Sequence, residues 1–215
     1  MLDKLRIFLS TATTWPDLDE EVGDDAKYLT GNILNAGAGS RDITPIIKGK
    51  LFNQDIPHGI HNERIHIYSP IDKIPVKDKT FDTIFCNAVL EHVKNPHEVM
   101  AEFHRVLKDE GHLYVAVPFM QPEHLDPTDF WRFTADGLKR IAQQQGFEVI
   151  KVEGTHNVYH TIGWIVQEWL TSKKTTLYRF LRYLLFPTLR YLSGHSKTHV
   201  FTISSGFKLV AKKRL

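Results

Sequence analysis

Two glycines and one aspartate carry the clearest chemical signal in the sequence. Gly37 and Gly39 follow the apolar run 33–36, and Asp55 stands 18 positions after Gly37. Glycine lets the backbone turn sharply and lets a ligand approach the amides without a Cβ in between. A helix that starts just beyond directs unpaired N–H groups at the same point. Because a carboxylate at the end of the next strand can accept both hydroxyls of a ribose, the pattern predicts a nucleotide site. The alternative for Asp55 is a cap on the turn before Pro57.

The stretch 118–134 holds a second set of chemically active side chains. His124 can take a proton from an acceptor hydroxyl group, with Asp126 or Asp129 orienting its imidazole ring. Aromatic rings that can stack on a sugar or an aromatic acceptor follow at Phe130, Trp131 and Phe133. We therefore predict His124 and Asp129 as catalytic residues. The alternative is an ordered loop held by its own side chains, in which His124 is only a structural hydrogen-bonding group.

The histidines do not form a recognisable metal motif. His58, His61 and His66 are close in sequence, as are His92 and His97. Neither group has the spacing of a metal-binding helix, and neither has cysteine partners. We therefore expect scattered surface histidines and no metal site.

Composition is that of a globular protein with one large domain. The chain has 215 residues, of which 42% are hydrophobic and 24% are charged. Cys86 is the only cysteine, which excludes an intramolecular disulfide and fits a reducing compartment. The N-terminus does not read as a signal peptide, and no apolar run of about 18 residues predicts a membrane span. We expect a cytoplasmic protein.

Apolar periodicity predicts an alternation of strands and helices. Strands are expected at residues 32–36, 50–54, 64–68, 81–86, 112–117, 147–152 and 206–211. Helices are expected within 1–30, in short form after the glycine loop, and at 96–107, 134–145, 159–170 and 177–185. Pro45 limits the helix after the glycine loop, and Pro187 interrupts the last one. The alternation implies an α/β fold with a mainly parallel sheet and helices on both faces.

Charge is distributed unevenly along the chain. Glu168 is the last acidic residue, whereas residues 169–215 contain ten lysines and arginines. Such a basic tail indicates an anionic partner, and the alternative is a solvated basic face with no partner. We expect no specific nucleic-acid binding.

Residues 155–195 interrupt the alternation with two aromatic-rich amphipathic helices. In the second helix, apolar residues recur at helical spacing at Leu177, Phe180, Leu181, Leu184 and Leu185. Arg179 and Arg182 lie off this stripe, and the ring of Trp169 suits a lipid headgroup boundary. We therefore predict that the segment docks on an anionic membrane surface or a lipid-linked substrate, which makes the protein peripheral at the inner membrane face. Alternatively, the stripe packs on the protein's own sheet or across a homodimer.

Several segments together resemble class I S-adenosylmethionine-dependent methyltransferases, most closely the type 11 group. The segments that carry this resemblance are residues 34–40, Asp55, 73–82, 89–93 and 105–112. The stretch 117–134 is similar to a subgroup of bacterial methyltransferases associated with surface-glycan genes. A protein of this kind has S-adenosylmethionine as its cofactor.

The resemblance implies a Rossmann-like, doubly wound sheet of about seven strands. It is mainly parallel with an antiparallel last strand, and a helical insertion precedes that strand. The implied division is an N-terminal helical segment, a methyltransferase core, the insertion and the last strand of the core, at residues 1–30, 31–154, 155–195 and 196–215.

The resemblance also implies which residues hold the cofactor. The expected cofactor-binding residues are Asn35, Gly37, Gly39, Asp55, Ile71, Asp72, Asn87 and His92. Gly37 and Gly39 match the loop under the methionine and ribose parts. Asp55 matches the carboxylate that binds the ribose hydroxyls, and Ile71 falls near the adenine pocket.

The remaining positions include two departures from the family pattern. Asn87 faces the methionine part of the cofactor, and Leu90, Glu91 and His92 follow where the family lines the site. The family has an acid where Asn35 stands, although Asn35 can still form hydrogen bonds. It has another acid where Pro70 stands, and Asp72 can substitute for that lost contact to the adenine amine.

The function implied by the resemblance is methyl transfer from a sulfonium to a nucleophile. We expect O-methylation of a small-molecule, glycan or lipid-linked acceptor, a reaction that needs mostly alignment and desolvation. The alternative is a non-catalytic binding or scaffold protein with the methyltransferase fold, which the departures at Asn35 and Pro70 favour. A nicotinamide-binding domain would share the glycine loop and Asp55, but Asp42 stands near where its third glycine would be.

Overall fold

The protein is built on one seven-stranded sheet. The computed structural model describes residues 18–57, 63–125, 128–172, 175–196 and 200–215. The strands are β1 (Thr30–Ala36), β2 (Lys48–Asp55), β3 (Ile67–Tyr68), β4 (Phe81–Asn87), β5 (Leu107–Pro118), β6 (Phe147–Thr155) and β7 (Gly206–Lys213). Their spatial order is β3-β2-β1-β4-β5-β7-β6, and only β7 runs antiparallel to its neighbours. The predicted doubly wound, mainly parallel α/β sheet with an antiparallel last strand is confirmed.

Helices cover both faces of this sheet. They are α1 (Leu18–Val22), α2 (Pro96–Val106), α3 (Ala135–Gln144), α4 (Val158–Thr171) and α5 (Thr176–His195). Single 3-10 segments lie at Gly23–Tyr28, Thr44–Ile46, Leu90–His92 and Phe201–Ile203. The start of α2 is fixed as the sequence predicts, because the Asn95 side chain accepts a hydrogen bond from the His97 amide and Pro96 occupies the first turn.

Two apolar layers fill the space between the sheet and its helices. Alternate residues of a strand point to opposite faces, so that Leu34 packs in one layer and Ile33 in the other. The layer of Leu34 includes the apolar faces of α2 and α3. The layer of Ile33 includes Val22 of α1, together with Phe85 and Tyr114, whose rings stack with centroids 4.9 Å apart. Strands β1, β4 and β5 are therefore buried on both faces, and their carboxyl ends are held rigidly.

Two expected helical features are wrong. Only the short 3-10 turn Thr44–Ile46 follows the glycine loop, since Pro45 and a short connection to β2 leave no room for an α-helix. At the other end of the chain, α5 continues through Pro187 to His195 instead of being interrupted there. One proline removes one hydrogen bond of the ladder, and the long helix also packs against α4. Residues 1–17 lie outside the described residues.

Part of the positive charge of the C-terminal tail is neutralised within the fold. Lys208 Nζ on β7 lies 2.9 Å from Asp25 Oδ2, and Asp25 is buried. Lys213 Nζ lies 3.6 Å from Asp109 Oδ1. These cations of β7 therefore pair with acids of the body, which leaves less of the tail's positive charge for the predicted anionic partner.

The insertion 155–195 consists mainly of α4 and α5, which pack against each other. Leu177, Phe180 and Leu184 have exposed fractions of 63%, 63% and 58%. The expectation that the stripe packs on the protein's own sheet is therefore wrong for these three side chains. Among the described residues, no helix combines the length and apolar character that crossing a bilayer requires.

Candidate active site

The glycine loop is fastened to the end of β2. Gly37 and Gly39 have φ angles of 69° and 54°, in the left-handed region that favours glycine. The amides of Gly37 and Ala38 donate to Gln54 O at 3.0 and 2.9 Å, and the Gly39 amide donates to Asp55 Oδ2 at 2.7 Å. The predicted cradle of unpaired amides at a helix N-terminus is therefore wrong, because these amides already have acceptors and no α-helix begins there. The loop shapes a cavity instead.

This first cavity has a volume of about 250 Å³ and lies at the carboxyl ends of β1, β2 and β4. It is lined by Gly37, Gly39, Gln54, Asp55, Ile56, Ile71, Ala88, Val89, His92 and Val93. A Cβ added to Gly37 would come within 2.5 Å of Val89 Cγ2, whereas one added to Gly39 would meet no atom within 4 Å. The loop therefore packs tightly on one side and leaves open space on the other. Apolar walls with one carboxylate fit a nucleoside whose ribose hydroxyls need an acceptor.

The cavity brings together five of the predicted cofactor-binding residues. These are Gly37, Gly39, Asp55, Ile71 and His92. Asn35 is buried beneath the loop, where its Nδ2 donates to Asn53 Oδ1 at 2.9 Å. Asp72 is exposed and is not among the lining residues. Its predicted contact to the adenine amine stays a prediction.

A second cavity, of about 240 Å³, adjoins the first at the carboxyl ends of β4 and β5. The two cavities share Ala88, which has a φ of 55° although it is not glycine. The predicted residue Asn87 lines this second cavity, and its Nδ2 donates to Glu21 Oε1 at 3.1 Å. Glu21 belongs to α1, so that the N-terminal segment contributes a wall of the site. Because Ala88 lines both cavities, the two cavities are neighbours at this turn.

The loop that follows β5 is tied to the turn that follows β4. The Phe130 amide donates to Glu91 O at 2.7 Å, and Trp131 Nε1 donates to Val93 O at 2.9 Å. Within the loop, both terminal nitrogens of Arg132 donate to the Asp129 carboxylate, at 2.5 and 2.6 Å. These bonds fix the loop over the 3-10 turn Leu90–His92. They explain why a residue 33 positions beyond Glu91 reaches its side chain.

That residue is His124, which lines the second cavity. Its Nε2 lies 3.6 Å from Glu91 Oε1, and His92 Nε2 lies 3.7 Å from the same oxygen. The rings of His92 and His124 are perpendicular, with centroids 5.0 Å apart. Glu91 is fully buried, and neither of its carboxylate oxygens has a hydrogen-bond partner among the described residues. Three ionisable side chains thus converge where the two cavities meet.

The electrostatics of this cluster separate the roles of its members. The Glu91 carboxylate raises the pKa of the His124 imidazole above its usual range, against the opposing effect of burial. The Arg132 guanidinium lowers the pKa of Asp129 to about 2. Asp129 therefore remains ionised, and its Oδ2 accepts a hydrogen bond from the His124 amide at 2.9 Å. The geometry gives Asp129 a positioning role and leaves His124 facing the cavity.

Other sequence predictions in this loop fare differently. Phe130 and Trp131 are partly exposed, whereas Phe133 is buried in the core and offers no stacking face, so that its expected role is wrong. Asp126 lies outside the described residues. Glu91 was expected only as part of the segment that lines the site, and its carboxylate was given no role of its own. An acid between an apolar residue and a histidine, directly after a buried strand, was the available signal.

Comparison with known proteins gives a consistent picture. A family described as a methyltransferase domain matches residues 52–115. A search of curated proteins found no match.

Solved structures share the fold at low sequence identity. The [4+2]-cyclase SpnF is 17% identical, with a TM-score of 0.62 over 96% of this chain and 84% of its own. A SAM-dependent methyltransferase from Archaeoglobus fulgidus is 17% identical, with a TM-score of 0.56 over 89% and 91%. A phosphoethanolamine N-methyltransferase from Haemonchus contortus, in complex with S-adenosyl-L-methionine, is 13% identical, with a TM-score of 0.56 over 92% and 52%. The matched family model covers 64 of the 215 residues, and these solved structures establish that the chain shares its fold with S-adenosylmethionine-dependent methyltransferases.

Proposed function

We propose that the protein transfers a methyl group from S-adenosylmethionine to a hydroxyl oxygen of an acceptor bound in the second cavity. The observation that carries this proposal is the adjacency of the two cavities, which share Ala88 and have His124 on the acceptor side. Proximity of this kind can supply roughly 7–11 kcal/mol of the barrier in a transfer that needs alignment above all. The shared boundary is where the donor and acceptor would meet.

The residues of the first cavity have the chemistry to hold the cofactor. Asp55 offers carboxylate lone pairs to the ribose hydroxyls, Ile71 offers an apolar face to the adenine, and Gly39 leaves space beside them. When bound, S-adenosylmethionine supplies a methyl group on a positively charged sulfur. The apolar lining of the cavity excludes water from that group.

On the acceptor side, His124 is the residue that we propose to act on the hydroxyl. Its ring lines the cavity and its backbone is fixed by Asp129, so that Nε2 can bind the acceptor oxygen and draw off its proton. Phe130 and Trp131, which are partly exposed on the same loop, can stack on a sugar ring. The stretch 117–134 also resembles methyltransferases associated with surface-glycan genes. Together, these features favour a small-molecule, glycan or lipid-linked acceptor.

We further propose that α5 holds the protein on an anionic membrane surface, which would give it access to a lipid-linked acceptor. Leu177, Phe180 and Leu184 are exposed along one stripe, and the helix contains arginines but no acid. This stripe lies on α5, in the segment 155–195. In the same segment, Trp164 of α4 lines the second cavity, where we propose that the acceptor binds. The same face could instead join two copies of the chain, as the homodimer alternative states.

The proposal is tested by methyl transfer from S-adenosylmethionine with a deuterated methyl group. Purified protein is incubated with small-molecule and lipid-linked glycan fractions, and mass spectrometry locates the label. We expect label on an oxygen of one acceptor class. Because the [4+2]-cyclase has the same fold, fold alone does not fix the reaction. Cofactor binding by calorimetry without label transfer to any fraction would support the non-catalytic alternative.

A further inference from the structure

We propose that Glu91, His92 and His124 bind one divalent transition-metal ion at the boundary of the two cavities. One ligand atom from each side chain lies within 4.8 Å of the others. His92 lines the first cavity and His124 lines the second. Of the histidines that lie close together in the sequence, His92 belongs to this site. His66 Nδ1 accepts a hydrogen bond from the Asn53 amide and His97 is exposed, while His58 and His61 lie outside the described residues.

The first argument is the state of Glu91. A buried carboxylate without a partner is strongly disfavoured, because it loses hydration and gains nothing in return. The Glu91 side chain is fully buried without a hydrogen-bond partner among the described residues, and its Oε1 lies 3.7 Å from His92 Nε2 and 3.6 Å from His124 Nε2. A cation between these three atoms would supply the missing charge.

The second argument is the orientation of the two rings. His92 Nδ1 lies 2.5 Å from Thr128 O and therefore donates to that carbonyl. His124 Nδ1 faces Pro122 O at 3.4 Å and Asp129 Oδ2 at 3.5 Å. In the metal-free protein, a proton on Nε2 can face Glu91. With the proton on Nδ1 instead, each ring presents its Nε2 lone pair to a cation bound beside the Glu91 carboxylate. Metal-binding histidines are held in this way by a carbonyl or carboxylate on the other ring nitrogen.

The third argument is the spacing and chemistry of the donors. Ligand atoms at about 2.0–2.2 Å from a tetrahedral ion lie about 3.3–3.6 Å from one another. The two Glu91 Oε1 separations are 3.6 and 3.7 Å. Two imidazoles with one carboxylate form a donor set for zinc, iron, manganese or cobalt, and they leave a further coordination position free. In this protein, that position would face the acceptor cavity.

This inference rests on the proposed function for the location of the acceptor, and it replaces the direct proton-accepting role of His124 Nε2 with metal ligation. The cation binds the acceptor oxygen and lowers the pKa of the hydroxyl, whose proton passes to water in the cavity. The oxygen then forms a bond to the methyl carbon while the carbon–sulfur bond breaks, and the sulfonium becomes a neutral thioether. His124 acts through the ion, and Asp129 holds its backbone.

The test is a titration of chelator-treated full-length protein with Co²⁺, followed by the visible absorption of the bound ion and by competition with Zn²⁺. We expect one equivalent to bind. Since even outer partners of metal ligands change affinity by about 10–100-fold, Glu91→Gln and His124→Gln should each weaken binding at least about 100-fold. His97→Gln, on the exposed start of α2, is the matched control and should bind as the unchanged protein does.

Circular dichroism and urea unfolding of the metal-free variants show whether they are folded. Glu91→Gln removes a buried unpaired charge, so that it should fold at least as well as the unchanged protein. Absence of stoichiometric Co²⁺ or Zn²⁺ binding would overturn the metal site, as would unchanged binding in the folded Glu91→Gln and His124→Gln variants. Calorimetry with S-adenosylhomocysteine is run separately. Its failure would count against the proposed function and not against the metal site.

Discussion

The amide of Gly39 donates a hydrogen bond to Asp55 Oδ2 at 2.7 Å, so that the glycine loop and the end of β2 form one unit. Asp55 Oδ1 accepts a second bond from the Ile56 amide at 2.7 Å. Asp55 is thus a structural cap and also a wall of the first cavity. A carboxylate has about four lone-pair sites, and these two functions are compatible.

We predict that Asp55→Ala weakens S-adenosylhomocysteine binding by at least about tenfold. Each charge-assisted hydrogen bond to a ribose hydroxyl contributes about 1.5–3 kcal/mol. Asp55→Asn is the matched control, because its amide oxygen can still accept from the Gly39 amide, while its Nδ2 faces the Ile56 amide and that second bond is lost. Calorimetry should rank the affinities as Asp above Asn above Ala. Equal affinity of the Asp and Asn forms would mean that Asp55 is only a cap.

The packing of Gly37 against Val89 makes a second prediction. Gly37→Ala places a methyl group 2.5 Å from Val89 Cγ2 at a φ of 69°. The left-handed conformation costs an alanine about 1–2 kcal/mol, and the overpacked contact adds about 1–3 kcal/mol. The methyl group added by Gly39→Ala meets no atom within 4 Å. This variant should therefore lose only the part of the unfolding free energy that comes from the left-handed conformation.

Urea unfolding measures both variants, together with Gly37→Ala combined with Val89→Ala. The combined variant should recover the contact part of the loss and not the conformational part. If Gly37→Ala were no more destabilising than Gly39→Ala, the contact with Val89 would be unimportant.

Sequence alone predicted the parts of this site that lie within single segments. Gly37, Gly39 and Asp55 are recognisable because a strand, a tight turn and the next strand follow one another within the 26 residues 30–55. The convergence of Glu91 with His124 is not recognisable in this way. It depends on hydrogen bonds such as the one that the Phe130 amide donates to Glu91 O. These bonds hold the loop after β5 against the turn after β4. The ion pair between Lys208 and Asp25 could not be predicted from the sequence for the same reason, since these residues are far apart in the chain.

His124 should matter for turnover much more than for cofactor affinity. It lines the second cavity, where we propose that the acceptor binds, and not the first cavity. We predict that His124→Gln lowers turnover on the order of 10²–10⁴-fold, while the affinity for S-adenosylhomocysteine changes little. The measurement is initial rate on the labelled acceptor beside calorimetry. Full activity in this variant would place the chemistry on another residue.

Asp82 makes stability depend on pH in the acid range. Burial alone would raise the pKa of Asp82, but the Lys108 ammonium and the Asn32 amide outweigh it and lower the pKa below its ordinary value of 3.8. The stabilisation is therefore complete above about pH 4 and is lost as the pH falls through the lower, folded-state pKa. Because the side chain is 38% exposed, the contribution should be at most about 1 kcal/mol.

Urea unfolding at pH 6 and pH 3 checks this prediction. Asp82→Asn should reduce the difference in unfolding free energy between the two pH values. Asp72→Asn, at an exposed position, should leave it nearly unchanged. An equal effect of both substitutions would show that the Lys108 pair does not contribute.

Binding to lipid vesicles is the last prediction, and it decides between the two occupants of the exposed α5 stripe. We expect the intact protein to sediment with anionic vesicles more than with neutral ones. Replacing Leu177, Phe180 and Leu184 by serine should abolish sedimentation, because these exposed side chains enter the headgroup boundary. The control is Ile150→Ser, an exposed apolar residue on β6.

A second variant replaces the basic residues Arg179, Arg182 and Arg190 by alanine. At about 1 kcal/mol for each basic residue near an anionic surface, their loss should weaken binding to anionic vesicles by on the order of 100-fold and leave neutral vesicles unaffected. Light scattering of the protein without lipid gives its oligomeric state. If the intact protein binds neither vesicle type but forms a dimer that the serine variant loses, the stripe joins two copies of the chain and the membrane proposal is wrong.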